Sequence, residues 1–106
     1  MRYVACMAKG IAKRSEIAIG TTKRVVVGGV PVLLCNVDGD IYAVEDVCTH
    51  DGGPLDQSEL QGTRVECPRH GAIFDVTTGS ALSLPAVVPL ETFPVTIDGD
   101  EISVEV

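Results

Sequence analysis

Cys48-Thr49-His50 and Cys67-Pro68-Arg69-His70 are separated by the 16 residues from 51 to 66, and between them they use both histidines of this 106-residue chain. Thiolate and neutral imidazole are donors that iron and zinc accept readily, so Cys48, His50, Cys67 and His70 are candidate metal ligands. Neither stretch suits a helix. Gly52, Gly53 and Pro54 follow the first pair, while Pro68 lies inside the second and Gly71 ends it. These residues favour tight turns and oppose helical continuation. The expectation is therefore two loops, each presenting one sulfur and one nitrogen. A Cys2His2 zinc site uses the same side chains in tetrahedral geometry. Zinc sites usually pair Cys with Cys and His with His along the chain, and the alternating order here argues against that reading.

On either side of the ligand stretches the pattern is β. Tyr3 to Met7, Thr22 to Val27, Val32 to Val37, Ile41 to Glu45, Glu91 to Ile97 and Glu101 to Val106 are short runs rich in Val and Ile, several of them alternating polar with apolar. No stretch sustains a helical period. Gly28-Gly29, Asp38-Gly39 and Asp98-Gly99 lie between strand-like runs and can supply the positive φ angles of two-residue hairpins. Phe93-Pro94 marks a strand start or edge, because proline donates nothing to a ladder. From Asp46 to about Leu90 turns and prolines interrupt the strands. The fold class expected is all-β: an antiparallel β-sandwich or barrel base, residues 1–45 and 91–106, carrying a small inserted ligand-bearing subdomain at about 46–90.

Composition excludes several classes. At 45% hydrophobic residues the chain can bury one core without disulfide staples. Its longest apolar stretch, Val25 to Cys35, is broken by Gly28, Gly29 and Pro31 and falls short of the roughly 20 residues that span a bilayer. No membrane association is expected, and a cytoplasmic location follows, with Cys6 and Cys35 as reduced thiols in strands. The net charge of −7 is uneven. Residues 1–24 carry six basic side chains against Glu16, and residues 25–106 carry Arg64 and Arg69 against 14 acids. An acidic ligand-bearing part opposes nucleic-acid binding and suits a protein partner with a positive patch.

From about Val32 to Val106 the chain resembles the Rieske-type ferredoxins of bacterial ring-hydroxylating dioxygenase systems. The resemblance is carried by Val37-Asp38-Gly39-Asp40-Ile41-Tyr42-Ala43-Val44, Cys48-Thr49-His50, Val65 to Asp75 around the second ligand pair, Thr78-Gly79 and Leu84-Pro85-Ala86. It implies one [2Fe-2S] cluster per chain, with Cys48 and Cys67 on one iron and His50 and His70 on the other. Thiolates favour ferric iron, so the incoming electron settles on the histidine-bound iron. It also implies a third loop at Leu84-Pro85-Ala86 that covers the cluster.

Departures from other Rieske branches narrow the function. Where respiratory types carry a disulfide between the ligand loops, this chain has Gly53 and Arg69. Where they place hydroxyls beside the cluster, it has Ala72 and Phe74, so the donor bonds that would raise the potential are missing. A terminal oxygenase needs a second, mononuclear iron site with two further histidines, and none remain. The resemblance thus implies a low-potential one-electron carrier in aromatic hydrocarbon catabolism and not an enzyme. Its partners would be a flavin-containing NAD(P)H-dependent reductase and a terminal Rieske oxygenase, docking near His50, His70, Arg69 and Pro85 on an acidic surface. The alternative is a redox small subunit of a larger enzyme such as nitrite reductase, or a ferredoxin of another pathway. Tyr42 and Phe74 read as core packing, and Asp51 as a neighbour able to tune His50.

Overall fold

Nine strands, all paired antiparallel, form three sheets in a computed structural model that describes residues 7–49, 52–55, 60–68, 71–84 and 88–106. In chain order they are β1 (Met7–Lys13), β2 (Thr22–Val27), β3 (Val30–Val37), β4 (Asp40–Glu45), β5 (Arg64–Glu66), β6 (Ile73–Asp75), β7 (Thr92–Phe93), β8 (Val95–Asp98) and β9 (Glu101–Glu105), with one 3-10 turn at Arg14–Glu16. Sheet orders are β1-β9-β8, β2-β3-β4-β7 and β5-β6. No described residue is in an α-helix, and no described helix is long and apolar enough to cross a membrane.

The four-stranded sheet is covered on both faces, and β3 shows it most clearly. Successive side chains of a strand point to opposite faces. Leu33 and Cys35 pack with Cys48, Leu55, Val65, Cys67, Ala72 and Phe74 in one core, while Val32 and Leu34 pack with Ala12, Ile17, Ile102 and Val104 in the other. Val32 through Asn36 are consequently all buried. The polar member of that run, Asn36, is satisfied: Nδ2 donates to Ile17 O at 2.7 Å, and Oδ1 accepts from Gly39 N at 2.8 Å.

The expected strands over residues 22–45 are present, with β3 starting two residues earlier than the apolar run suggested. Pro31 fits inside β3 because it faces Val26 at a position between ladder bonds; its carbonyl points away from β2 and accepts Asp46 N–H at 2.9 Å. Glu91 to Ile97 is two strands, divided at Pro94. The Tyr3–Met7 run lies outside the described residues except for its last member. The first described strand is Met7–Lys13, which the β patterning did not pick out. It pairs with β9 through a bulge, Ala8 opposite Val104 but Ala12 opposite Ile102.

One turn is offset from its expected place. Asp38-Gly39 forms a two-residue hairpin with both residues at positive φ (57° and 98°), the I′ pattern. In the matching sequence near the C-terminus Asp98 pairs with Glu101, so the turn is Gly99-Asp100 rather than Asp98-Gly99. Only Gly99 has positive φ there, and the Asp100 carboxylate accepts Ser15 N–H at 2.9 Å and Ser15 Oγ–H at 2.7 Å. Those two bonds hold Asp100 below the usual carboxylate range.

Candidate metal centre

Each of the two candidate ligand cysteines, Cys48 and Cys67, roots a turn of the same construction. In the first, Cys48 N donates to Gly53 O at 2.7 Å and Gly52 N donates to Cys48 O at 2.7 Å. In the second, Cys67 N donates to Ala72 O at 2.7 Å and Gly71 N donates to Cys67 O at 3.0 Å. The offsets from cysteine to glycine and from cysteine to acceptor are identical in the two loops. Both glycines have positive φ, 77° and 75°, a region that costs a side chain energy but costs glycine nothing.

The two loops are placed by different elements. The first follows β4 directly. The second is the loop of the β5–β6 hairpin, whose register sets Glu66 opposite Ile73 and so brings residues 67–72 out as one closed turn. Beyond β6 the chain returns through Asp75–Ser80 and pairs again, Leu82 N donating to Ile73 O at 2.7 Å. Gly79 makes that return possible. A Cβ there would lie 2.3 Å from Leu90 O, while Leu90 N donates to Gly79 O at 2.7 Å.

Both cysteine side chains are fully buried, on a floor of Leu55, Val65, Ala72 and Phe74. Neither is in a disulfide. A thiolate in such a setting requires a compensating cation, and two sulfurs at matched turns, each with a histidine two or three residues on, form a donor set that fits a [2Fe-2S] cluster. His50 and His70 lie outside the described residues, as do Asp51, Arg69, Pro85 and Cys6. Cys35 shares the same core, yet burial, and secondarily the nearby Asp46 carboxylate, push its thiol up to about 12. It is a protonated core residue.

Two interactions around the first loop escaped the sequence reading. Thr49 Oγ1 donates to Val88 O at 2.6 Å, joining the first ligand loop to the segment after Pro85. Asp46 is buried and uses both carboxylate oxygens: Oδ2 accepts Arg24 Nη1 at 2.6 Å and Oδ1 accepts Leu55 N–H at 2.6 Å. Of the residues singled out for packing, Phe74 is fully buried. Tyr42 is only half-buried, lining an open groove of about 470 Å3 with Phe93, Pro94 and Thr77. Among the described residues beside the two loops, Glu66 is exposed together with the uncharged Gly52, Pro54, Pro68, Leu84, Val88 and Pro89, while Asp51, Asp56, Glu59 and Arg69, on which the expected acidic surface also rests, lie outside the described residues.

Comparison with known proteins bears on the same residues. The Rieske [2Fe-2S] domain family matches residues 8–94. The ferredoxin component of biphenyl 2,3-dioxygenase from Rhodococcus jostii (strain RHA1) is 41% identical over 95 residues, covering 90% of this chain and 89% of its own. The ferredoxin of carbazole 1,9a-dioxygenase from Nocardioides aromaticivorans IC177 superposes with a TM-score of 0.88 at 30% identity, over 93% of this chain and 96% of that one. A chain in a solved complex of reduced oxygenase and oxidized ferredoxin in carbazole 1,9a-dioxygenase superposes at 0.86 with 38% identity, over 93% and 92%.

Proposed function

The chain belongs to the Rieske [2Fe-2S] domain family, and on that premise we propose that it is the ferredoxin component of a ring-hydroxylating dioxygenase system, with Cys48, His50, Cys67 and His70 as the cluster ligands. The supporting observation is the pair of matched turns that root Cys48 and Cys67 in one apolar core. When bound, the cluster supplies reversible one-electron chemistry. The chain's own residues determine where and at what potential that happens. Cys48 and Cys67 anchor the buried side, and Ala72 and Phe74 offer no hydroxyl to stabilise added charge. The midpoint then falls toward the lower end of the Rieske range of roughly −150 to +300 mV.

His50 and His70 take the other iron, as the family resemblance implies; electrons enter and leave through them, and partners dock at these residues together with Arg69 and Pro85. The relatives are carriers rather than catalysts, and a chain with two histidines has none left for a second iron site. The electron donor is a flavin-containing NAD(P)H-dependent reductase and the acceptor a terminal Rieske oxygenase, both working in the cytoplasm. The uncharged exposed residues Pro54, Pro68, Leu84 and Val88 supply an apolar centre for small, transient redox contacts. Rapid mixing of the reduced protein with a Rieske oxygenase of this class tests the reading. Reoxidation of the carrier coupled to oxygenase turnover is expected, and oxygenase turnover at the same rate without the carrier would overturn it.

A further inference from the structure

We propose that Arg24 is a positioning residue for the cluster, acting through Asp46 to fix both feet of the first ligand loop; this rests on the cluster assignment made above. Asp46 stands two residues before Cys48, and Leu55, whose N–H it accepts at 2.6 Å, stands two residues after Gly53, where the turn closes. One carboxylate therefore ties the entry of the loop to its exit. The other oxygen is held by Arg24 Nη1, also at 2.6 Å. Asp46 N–H in turn donates to Pro31 O at 2.9 Å, so the loop's entry is fastened to β3 by its backbone and to β2 by its side chain.

The sheet register explains why Arg24 can reach. It pairs with Leu33, and Leu33 packs in the same core as Cys48 and Cys67. Its neighbours Val25 and Val27 point to the opposite core. The Asp46 side chain is fully buried, whereas that of Arg24 is 41% exposed. Arg24 is thus the counter-charge that lets a buried anion stand two residues from Cys48. Without it, Asp46 keeps an uncompensated charge beside the site and its geometry on Leu55 slackens. Electrons should then be harder to add and the cluster easier to lose.

The test compares the holoprotein with Arg24→Lys, Arg24→Met, Asp46→Asn and the double variant Arg24→Met/Asp46→Asn. Three quantities are read: the half-life of visible cluster absorbance under a chelator, the midpoint potential, and the denaturant midpoint of the β-sheet signal. Arg24→Met is expected to shorten the half-life about 10-fold or more, the usual cost of losing a group that orients a metal ligand. It is expected to lower the potential and, although the unpaired Asp46 also costs the sheet some stability, to lose the cluster at denaturant concentrations where the β-sheet signal is still native. Arg24→Lys keeps the charge and retains most of the half-life. In the Asp46→Asn background, Arg24→Met should add almost nothing. Half-life and potential unchanged in Arg24→Met, fully additive effects in the double variant, or cluster loss that merely tracks sheet unfolding would each overturn the role of Arg24. A wild-type protein that holds no iron would instead overturn the cluster assignment itself.

Discussion

Cys48 and Cys67 occupy equivalent places in two turns of identical hydrogen-bonding pattern, each accepting from a glycine four residues on and donating to a carbonyl five residues on. The equivalence holds although the histidines fall at different offsets, two residues after Cys48 and three after Cys67. Backbone geometry, not ligand spacing, is therefore what the two loops share. Gly52→Ala and Gly71→Ala should accordingly behave alike. At neither position would an added Cβ meet a described residue closer than 3.6 Å, so the expected cost is that of the left-handed backbone, about 1–2 kcal/mol. Denaturant unfolding and iron content of the two variants check this. A large loss in one and none in the other would contradict the equivalence.

Gly79→Ala should be far worse. Here the added carbon would lie 2.3 Å from the Leu90 carbonyl and 3.1 Å from Thr92 Cγ2, at a φ of +81°, so backbone must move as well as strain. A loss of about 3 kcal/mol or more is expected, combining overpacking with backbone strain. Gly20→Ala, with similar φ and open space, is the control and should cost about 1–2 kcal/mol.

The β3–β4 hairpin could be read because two short apolar runs rich in β-branched residues flank an Asp-Gly turn over residues 30–45. The strand Met7–Lys13 could not. Its Ala, Lys and Gly are poor strand formers, and pairing with β9 across a bulge supplies what the local sequence lacks. Asp98-Gly99 misled because the same dipeptide serves two turn geometries, and the contact between Asp100 and Ser15, 85 residues away, goes with the one adopted. At the site, the glycines and prolines announced the turns that root Cys48 and Cys67. Arg24 and Asp46 did not announce themselves, since only the sheet register brings residues 22 apart in sequence together. Tyr42 misled similarly: β7 covers β4 only at Ala43 and Val44, leaving the edge beside Tyr42 open.

Acid stability should depend on Asp75. Burial alone would raise its pKa, but hydrogen bonds from Thr77 Oγ1 and N, Thr78 N and Thr63 Oγ1 outweigh it and hold the carboxyl below its usual value. A depressed folded-state pKa stabilises above the unfolded value and the gain is lost as pH falls through the folded one. The window therefore lies below about pH 4, the ordinary Asp value. Denaturant midpoints should favour wild type over Asp75→Asn near neutrality, with the gap closing in that window. A gap that stays constant down to pH 2.5 would refute the linkage.

Leu84 is 78% exposed, the most exposed large apolar side chain among the described residues, and it adjoins the segment tied to Thr49 through Val88. Leu84→Asp should raise the KM of the oxygenase for this carrier about 10-fold, a typical cost of roughly 1–2 kcal/mol for spoiling an apolar contact in an interface. The unfolding transition should stay nearly unchanged, since Leu84 is largely exposed, and the KM values are compared after the midpoint potential of each protein has been measured. Equal KM values for the two proteins would remove Leu84 from the docking surface.

The most direct measurement is the iron and acid-labile sulfide content of the purified protein, taken with the electron paramagnetic resonance of its reduced form, for wild type and for Cys48→Ser, His50→Ala, Cys67→Ser and His70→Ala. About two irons and two sulfides per chain in wild type, a rhombic signal from one reduced [2Fe-2S] centre, and loss of that signal in every variant are predicted. One zinc with no iron in wild type, or an intact cluster after replacement of any of the four residues, would contradict the assignment.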